Sequence, residues 1–170
     1  MFQKSCSALF TLLFILMFAV SSHAQTITAG GGVGYGSQSE NLNFSVNLYY
    51  SVPGAPMRIG GDVGYSIPKR NNDIRTDQVE SNLNVHFMIV DEDLLSVYSI
   101  TGLNLLYTRM RITDGNSTVS ESDTDPGLNL GIGGEFATQY GRTFGEIKYV
   151  AGRKTGDSQL VIGGGIRIRI

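Results

Sequence analysis

Most of this sequence alternates. From residue 26 onward, apolar and polar side chains take turns through eight separate runs, at 26–36, 41–51, 57–67, 78–90, 96–112, 128–137, 144–151 and 160–170. A period of two is the signature of a β-strand with unlike faces. Run 41–51 is the plainest: Leu42, Phe44, Val46, Leu48 and Tyr50 form one face, and Asn43, Ser45, Asn47, Tyr49 and Ser51 the other. The apolar frame is uncharged up to the level of Tyr107, where Arg109 and Arg111 continue it.

Which face points inward decides the fold. A soluble barrel or sandwich buries its apolar face and leaves its charges in water. Here the polar face is small and glycine-rich, with Gly30, Gly32, Gly34, Gly60, Gly64, Gly131, Gly133, Gly163 and Gly165 among its members. Water-facing strand positions favour larger polar residues, whereas a crowded barrel lumen needs small ones opposite large ones. The uncharged face therefore meets lipid.

The aromatics sort in agreement. With the chain starting on the periplasmic side, Tyr35, Tyr65, Tyr107 and Tyr149 fall near the outer ends of the outward strands, and Tyr50, Phe87 and Phe136 near the inner ends of returning ones. That makes two aromatic girdles, one per membrane interface. The inner connections are short (52–56, 91–95, 138–143). Two outer ones are longer (68–77 and 113–127), and two are shorter exceptions (37–40 and 152–159). Backbone donors cannot stay unpaired in hydrocarbon, so the sheet must close on itself. The expectation is an all-β, closed, eight-stranded antiparallel up-and-down transmembrane β-barrel. A soluble lipocalin-like binder is the competing fold.

The first 24 residues read as a cleaved secretory signal peptide: Lys4, an apolar core from Leu9 to Val20, and a small-residue site at Ser22-His23-Ala24. Residues 25–170 are then the barrel domain. Cleavage removes Cys6, leaving neither disulfide nor thiol chemistry. Charged residues are 16% of the chain and the net charge is −2, which gives no basis for nucleic-acid binding through bulk charge.

With its alternation, girdles and connections, and above all the strand Tyr98-Ser99-Ile100-Thr101-Gly102-Leu103 and the final run Gly163–Ile170, the sequence resembles the OmpA/OmpX-like family of small eight-stranded outer-membrane barrels. The resemblance implies bacterial outer-membrane residence and insertion by the barrel-assembly machinery. Family members usually end in an aromatic residue, where the last residue here is Ile170, and no second, peptidoglycan-binding domain is expected.

The inward frame carries Arg58, Asp62, Glu80, Glu135, Glu146, Lys148, Arg167 and Arg169. Glu135, Glu146 and the two last arginines come from three consecutive runs, so they can touch. Guanidinium forks suit carboxylates, and an eight-stranded interior is just wide enough for side chains to fill. The expected result is a hydrogen-bonded plug; the alternative is a narrow pore for ions or small solutes. Removing a plug charge is expected to cost more than changing any lumen glycine to alanine. His86, the one histidine after residue 24, has no evident partner serine, so no catalytic constellation, metal site or cofactor site is assigned. The glycines of 30–36 match no nucleotide-binding spacing. Asp114, Glu121, Asp123 and Asp125 cluster in run-free sequence that reads as a solvated loop; their spacing fits no calcium loop.

Arg109 and Arg111 stand at head-group height, with Lys69, Arg70, Arg75, Arg153 and Lys154 in the other outer loops. Such a basic collar suits the phosphates of outer-membrane lipids, lipopolysaccharide included. The function expected is non-enzymatic: a membrane-structural or surface-interaction barrel whose loop partner the sequence does not name.

Overall fold

In the computed structural model the chain is described at residues 27–37, 40–71, 73–114, 117–152 and 158–170. The expected signal peptide lies outside the described residues, as do Arg153 and Lys154.

Eight antiparallel strands close into a barrel in sequence order. They are β1 (Ile27–Gly36), β2 (Asn41–Ser51), β3 (Met57–Asn71), β4 (Ile74–Asp91), β5 (Leu95–Asp114), β6 (Ser117–Thr138), β7 (Gly141–Ala151) and β8 (Gln159–Arg169). Every strand pairs with its neighbour in the chain, and β1 pairs with β8 to complete the cylinder. That seam matches Gly30 with Arg167, Gly31 with Ile166, Gly32 with Gly165, Val33 with Gly164 and Gly34 with Gly163.

The apolar frame faces out along every strand. Val46, Leu83, Leu103 and Ile132 are 67%, 57%, 57% and 60% exposed, whereas Asn84, His86, Asn129, Glu135 and Arg167 are buried at 0–1%. The molecule thus has a polar core inside an oily wall, the reverse of a water-soluble barrel. The lumen glycines make room for that core. A methyl on Gly133 would stand 2.5 Å from the Tyr98 ring, one on Gly60 2.8 Å from Tyr49 Cδ1, and one on Gly32 2.9 Å from Phe144 Cζ.

Strand length divides the barrel. β1, β2, β7 and β8 have 10 or 11 residues, about what a tilted membrane-spanning strand requires. β3, β4, β5 and β6 have 15, 18, 20 and 22. The surplus continues past the girdle tyrosines as a sheet, here called the ribbon. This corrects the expected loops. Segment 68–77 is mostly strand, the end of β3 pairing with the start of β4 from Lys69–Thr76 to Asn71–Ile74, with a register shift between Ser66 and Lys69. Segment 113–127 is mostly β6, paired residue by residue with β5 from Leu105–Pro126 to Asp114–Ser117. Pro126 is tolerated because β6 meets β7 only from Leu128 onward, which leaves that edge needing no donor from the proline.

Candidate functional site

Two side-chain systems could carry a function: the packed lumen and the ribbon above it.

In the lower lumen Arg167 of β8 is the hub. Its Nε donates to Asn47 Oδ1 (3.1 Å), its Nη1 to Glu135 Oε1 (2.6 Å) and to the Tyr98 hydroxyl (2.9 Å), and its Nη2 to Glu146 Oε1 (2.7 Å). The guanidinium also lies over Phe144, 3.8 Å from the ring centroid, and faces Tyr49 at 4.8 Å. Glu135 accepts in addition from Arg58 Nη1 (2.8 Å), which crosses from β3, and from Arg142 Nε (3.1 Å). Tyr98 donates to Glu146 at 2.8 Å. Strands on opposite sides of the cylinder are thereby tied through its centre. His86 is stacked on Tyr98, with ring centroids 4.5 Å apart, and tilted against Tyr49 at 4.3 Å. Neither of its ring nitrogens has a hydrogen-bond partner. It fills the space between the two rings.

Higher in the lumen, Asp62 accepts from Asn82 (2.7 Å) and Asn84 (3.2 Å), and Lys148 Nζ stands 3.7 Å from it. Asn104 donates to Glu80 and, at 2.8 Å, to Asn82; Asn129 donates to Asn82 and Asn84, both at 2.8 Å. A cavity of about 60 Å³ remains in the lumen above Arg167, lined by Asn43, Asn47, Asp62, Glu80, Lys148 and Arg167 among others.

The sequence-derived lumen residues thus fall into two groups: Arg58, Glu135, Glu146 and Arg167 below, Asp62, Glu80 and Lys148 above. Arg169 joins neither. It is exposed, lining the open vestibule at the short-turn end with Asp91, Glu92 and Asp93. The third guanidinium on Glu135 is Arg142, which the sequence reading left in a turn; it shares the even-numbered frame of Phe144, Glu146 and Lys148, and extending that frame by one step finds it. The tyrosine and asparagine members were missed because neither residue type marks a charge cluster.

On the outer wall the girdle residues Tyr35, Tyr65, Tyr107, Tyr149, Tyr50, Phe87 and Phe136 all face outward, 37–56% exposed. Above Tyr65 and Tyr107 the ribbon begins, and the sign of the alternation reverses. Its outward surface carries Arg70, Arg75, Asp77, Arg109 and Arg111, with Ser120, Ser122 and Thr124 in the neighbouring column; the pairs Arg70–Arg75, Arg75–Arg111, Asp77–Arg109 and Arg109–Ser122 stand side by side. Asp77 gathers part of this group. It accepts from Arg111, from Arg75 Nε and Nη2 (3.1 and 3.0 Å) and from the Tyr65 hydroxyl (3.1 Å). The Arg111 guanidinium, helped by Arg75 and Tyr65, holds the Asp77 carboxyl below its ordinary value. Arg109 is exposed and has no ion-pair partner among the described residues.

The ribbon's axis-facing surface carries the apolar residues instead. Ile74, Ile112 and Val119 form one row across β4, β5 and β6, and Thr76, Met110 and Glu121 the next. Asp123 and Asp125 follow down β6. Among the described residues no group of three or more histidine, cysteine or carboxylate side chains gathers as a metal site.

No family model matches this sequence, and no curated protein matches it. Solved structures do resemble it. A major outer membrane protein from Thermus thermophilus superposes with a TM-score of 0.62 at 12% identity, over 87% of this chain and 100% of that one. The N-terminal β-barrel domain of Pseudomonas aeruginosa OprF gives 0.58 at 11%, over 85% and 98%. Yersinia pestis Ail, in complex with the heparin analogue sucrose octasulfate, gives 0.55 at 14%, over 85% and 97%. The fold is that of the eight-stranded outer-membrane barrels.

Proposed function

We propose that this chain is a non-enzymatic outer-membrane barrel with a side-chain-filled lumen, serving a structural or surface-interaction role. The observation that carries the reading is Arg167 bound to Glu135, Glu146, Tyr98 and Asn47 across the lower lumen. Buried ion pairs add little net stability, but they fill and rigidify the space they occupy, and opening them exposes unpaired charge. Export by the signal peptide of residues 1–24 and insertion by the barrel-assembly machinery belong to the same proposal. Membrane fractionation combined with cold-versus-boiled gel mobility tests residence and closure together. Planar-bilayer recording tests the plug: the wild-type barrel is expected to show no steady openings. Steady nanosiemens-scale openings favour the alternative, a narrow pore for ions or small solutes, which the cavity above the plug supports.

We also propose that the outward arginines contact outer-membrane lipids, lipopolysaccharide included. Arg109 and Arg111, with Arg70 and Arg75, outnumber Asp77, and guanidinium groups above a tyrosine girdle stand where lipid phosphates lie. The polyanion seen with Ail is a ligand of that chemistry on a barrel of the same fold. Charge reversal at Arg109 and Arg111 is expected to lower lipopolysaccharide co-purification. Unchanged co-purification removes the idea.

A further inference from the structure

The axis-facing side of the ribbon has the wrong composition for where it stands. It lies above the girdle tyrosines and looks across the barrel mouth, so lipid does not cover it. Yet Ile74, Met110, Ile112 and Val119 are 38%, 42%, 46% and 66% exposed, and they are neighbours on adjacent strands. A contiguous exposed apolar group rimmed by charge marks an interaction surface.

Among the described residues the carboxylates of this rim stand on β6. Glu121 and Asp123 are exposed on the column beside Met110 and Thr108. Lys69 is the one base on this side among the described residues, and Glu40 faces it at 3.8 Å, which offsets its charge. We propose that this surface docks a cationic amphipathic segment of a partner protein. The segment's apolar side chains cover Ile74, Met110, Ile112 and Val119, and its lysines or arginines meet Glu121 and Asp123. The proposal rests on the surface-interaction reading above. The opposite ribbon face, rich in arginine, repels the same segment, so the two surfaces sort ligands by charge. A second copy of this chain would bring carboxylates against carboxylates, and is disfavoured for that reason.

The test uses the full-length barrel in nanodiscs of zwitterionic lipid, with empty nanodiscs as blank. The probes are a short peptide of alternating lysine and valine and its glutamate–valine counterpart. The lysine peptide is expected to bind saturably and in a salt-sensitive way, and the glutamate peptide not to bind. Ile112→Ser with Val119→Ser is expected to weaken binding about tenfold, and Glu121→Gln with Asp123→Asn to weaken it severalfold and remove the salt dependence. Cold-versus-boiled mobility confirms that each variant is a closed barrel, and the exposed carboxylate pair provides a variant that leaves packing intact. Equal binding of both peptides, equal binding by variants and wild type, or a concentration-dependent dimer lost in the Ile112→Ser, Val119→Ser variant overturns the proposal. Bilayer recording of the same preparations reports separately on the plug, so failure of the docking surface and failure of the closed-barrel reading are told apart.

Discussion

Two stretches of one strand place the same period in opposite surroundings. In its lower part β5 turns Leu103 and Leu105 outward and Asn104 inward. A few residues later it turns Arg109 and Arg111 outward and Met110 and Ile112 toward the axis. β4 does the same, from Leu83 out and Asn84 in to Arg75 out and Ile74 in. Alternation reports that a strand exists; the sign of the alternation reports which solvent each face meets. Where hydrocarbon ends, nothing requires the outer face to stay apolar, and it becomes a face for ions and water.

The contrast can be broken experimentally. The largest effect is expected at the lumen hub: Arg167→Ala leaves Glu135 and Glu146 short of a partner and is expected to cost about 3–5 kcal/mol. Denaturant titration followed by gel mobility reads it, and an unchanged midpoint would mean that the cluster fills space without holding the barrel. Next comes Gly133→Ala, whose methyl meets the Tyr98 ring; overpacking of this kind costs about 1–3 kcal/mol. Gly145→Ala is the control, because its methyl meets nothing within 4 Å. This narrows the gap expected from sequence between charge removal and glycine replacement, since several lumen glycines lie against rings or backbone.

In the ribbon, Ile112→Asn occupies the same axis-facing frame as the lumen residues but is expected to shift the unfolding free energy by less than about 0.5 kcal/mol, as exposed substitutions do. A loss as large as that at Gly133 would show that the ribbon is part of the core. The smallest effect is expected at Asp77. Its carboxyl is held below its ordinary value, so its pairing is present at neutral pH and is lost as pH falls through that lowered value. Asp77→Asn should reproduce the low-pH state at pH 7, seen as altered arginine side-chain resonances of Arg75 and Arg111 with little change in unfolding.

The same contrast explains what could be read in advance. Eight strands, closure, outward girdles and the inward charges followed from alternation with an uncharged face, and 41–51 is reproduced to the residue. The strand ends in the ribbon did not. From Ser120 to Asp125 the sequence alternates hydroxyl with carboxylate, so polar faces polar and the apolar contrast vanishes. Asp and Pro126 argue locally against a strand, and only pairing with β5 overrules them. Arg169 shares the lumen frame with Arg167 but stands one pair further toward the open end, where frame no longer means burial. Arg142 was missed for the opposite reason, since the strand begins before its apolar residues do.

The meeting of β1 with β8 sets how such a cylinder can come into being. Its paired positions include Gly32 with Gly165 and Gly34 with Gly163, so along much of that line there are no side chains to interlock and amide-to-carbonyl bonds must do most of the joining. It is also the contact most distant in sequence, and forming it constrains the whole intervening chain. Every other neighbour pair can zip from its own turn. The barrel therefore has a favoured order of assembly, hairpins first and the glycine-rich seam last, and Arg167 of β8 reaches Asn47 and Tyr49 of β2 only once that seam has closed.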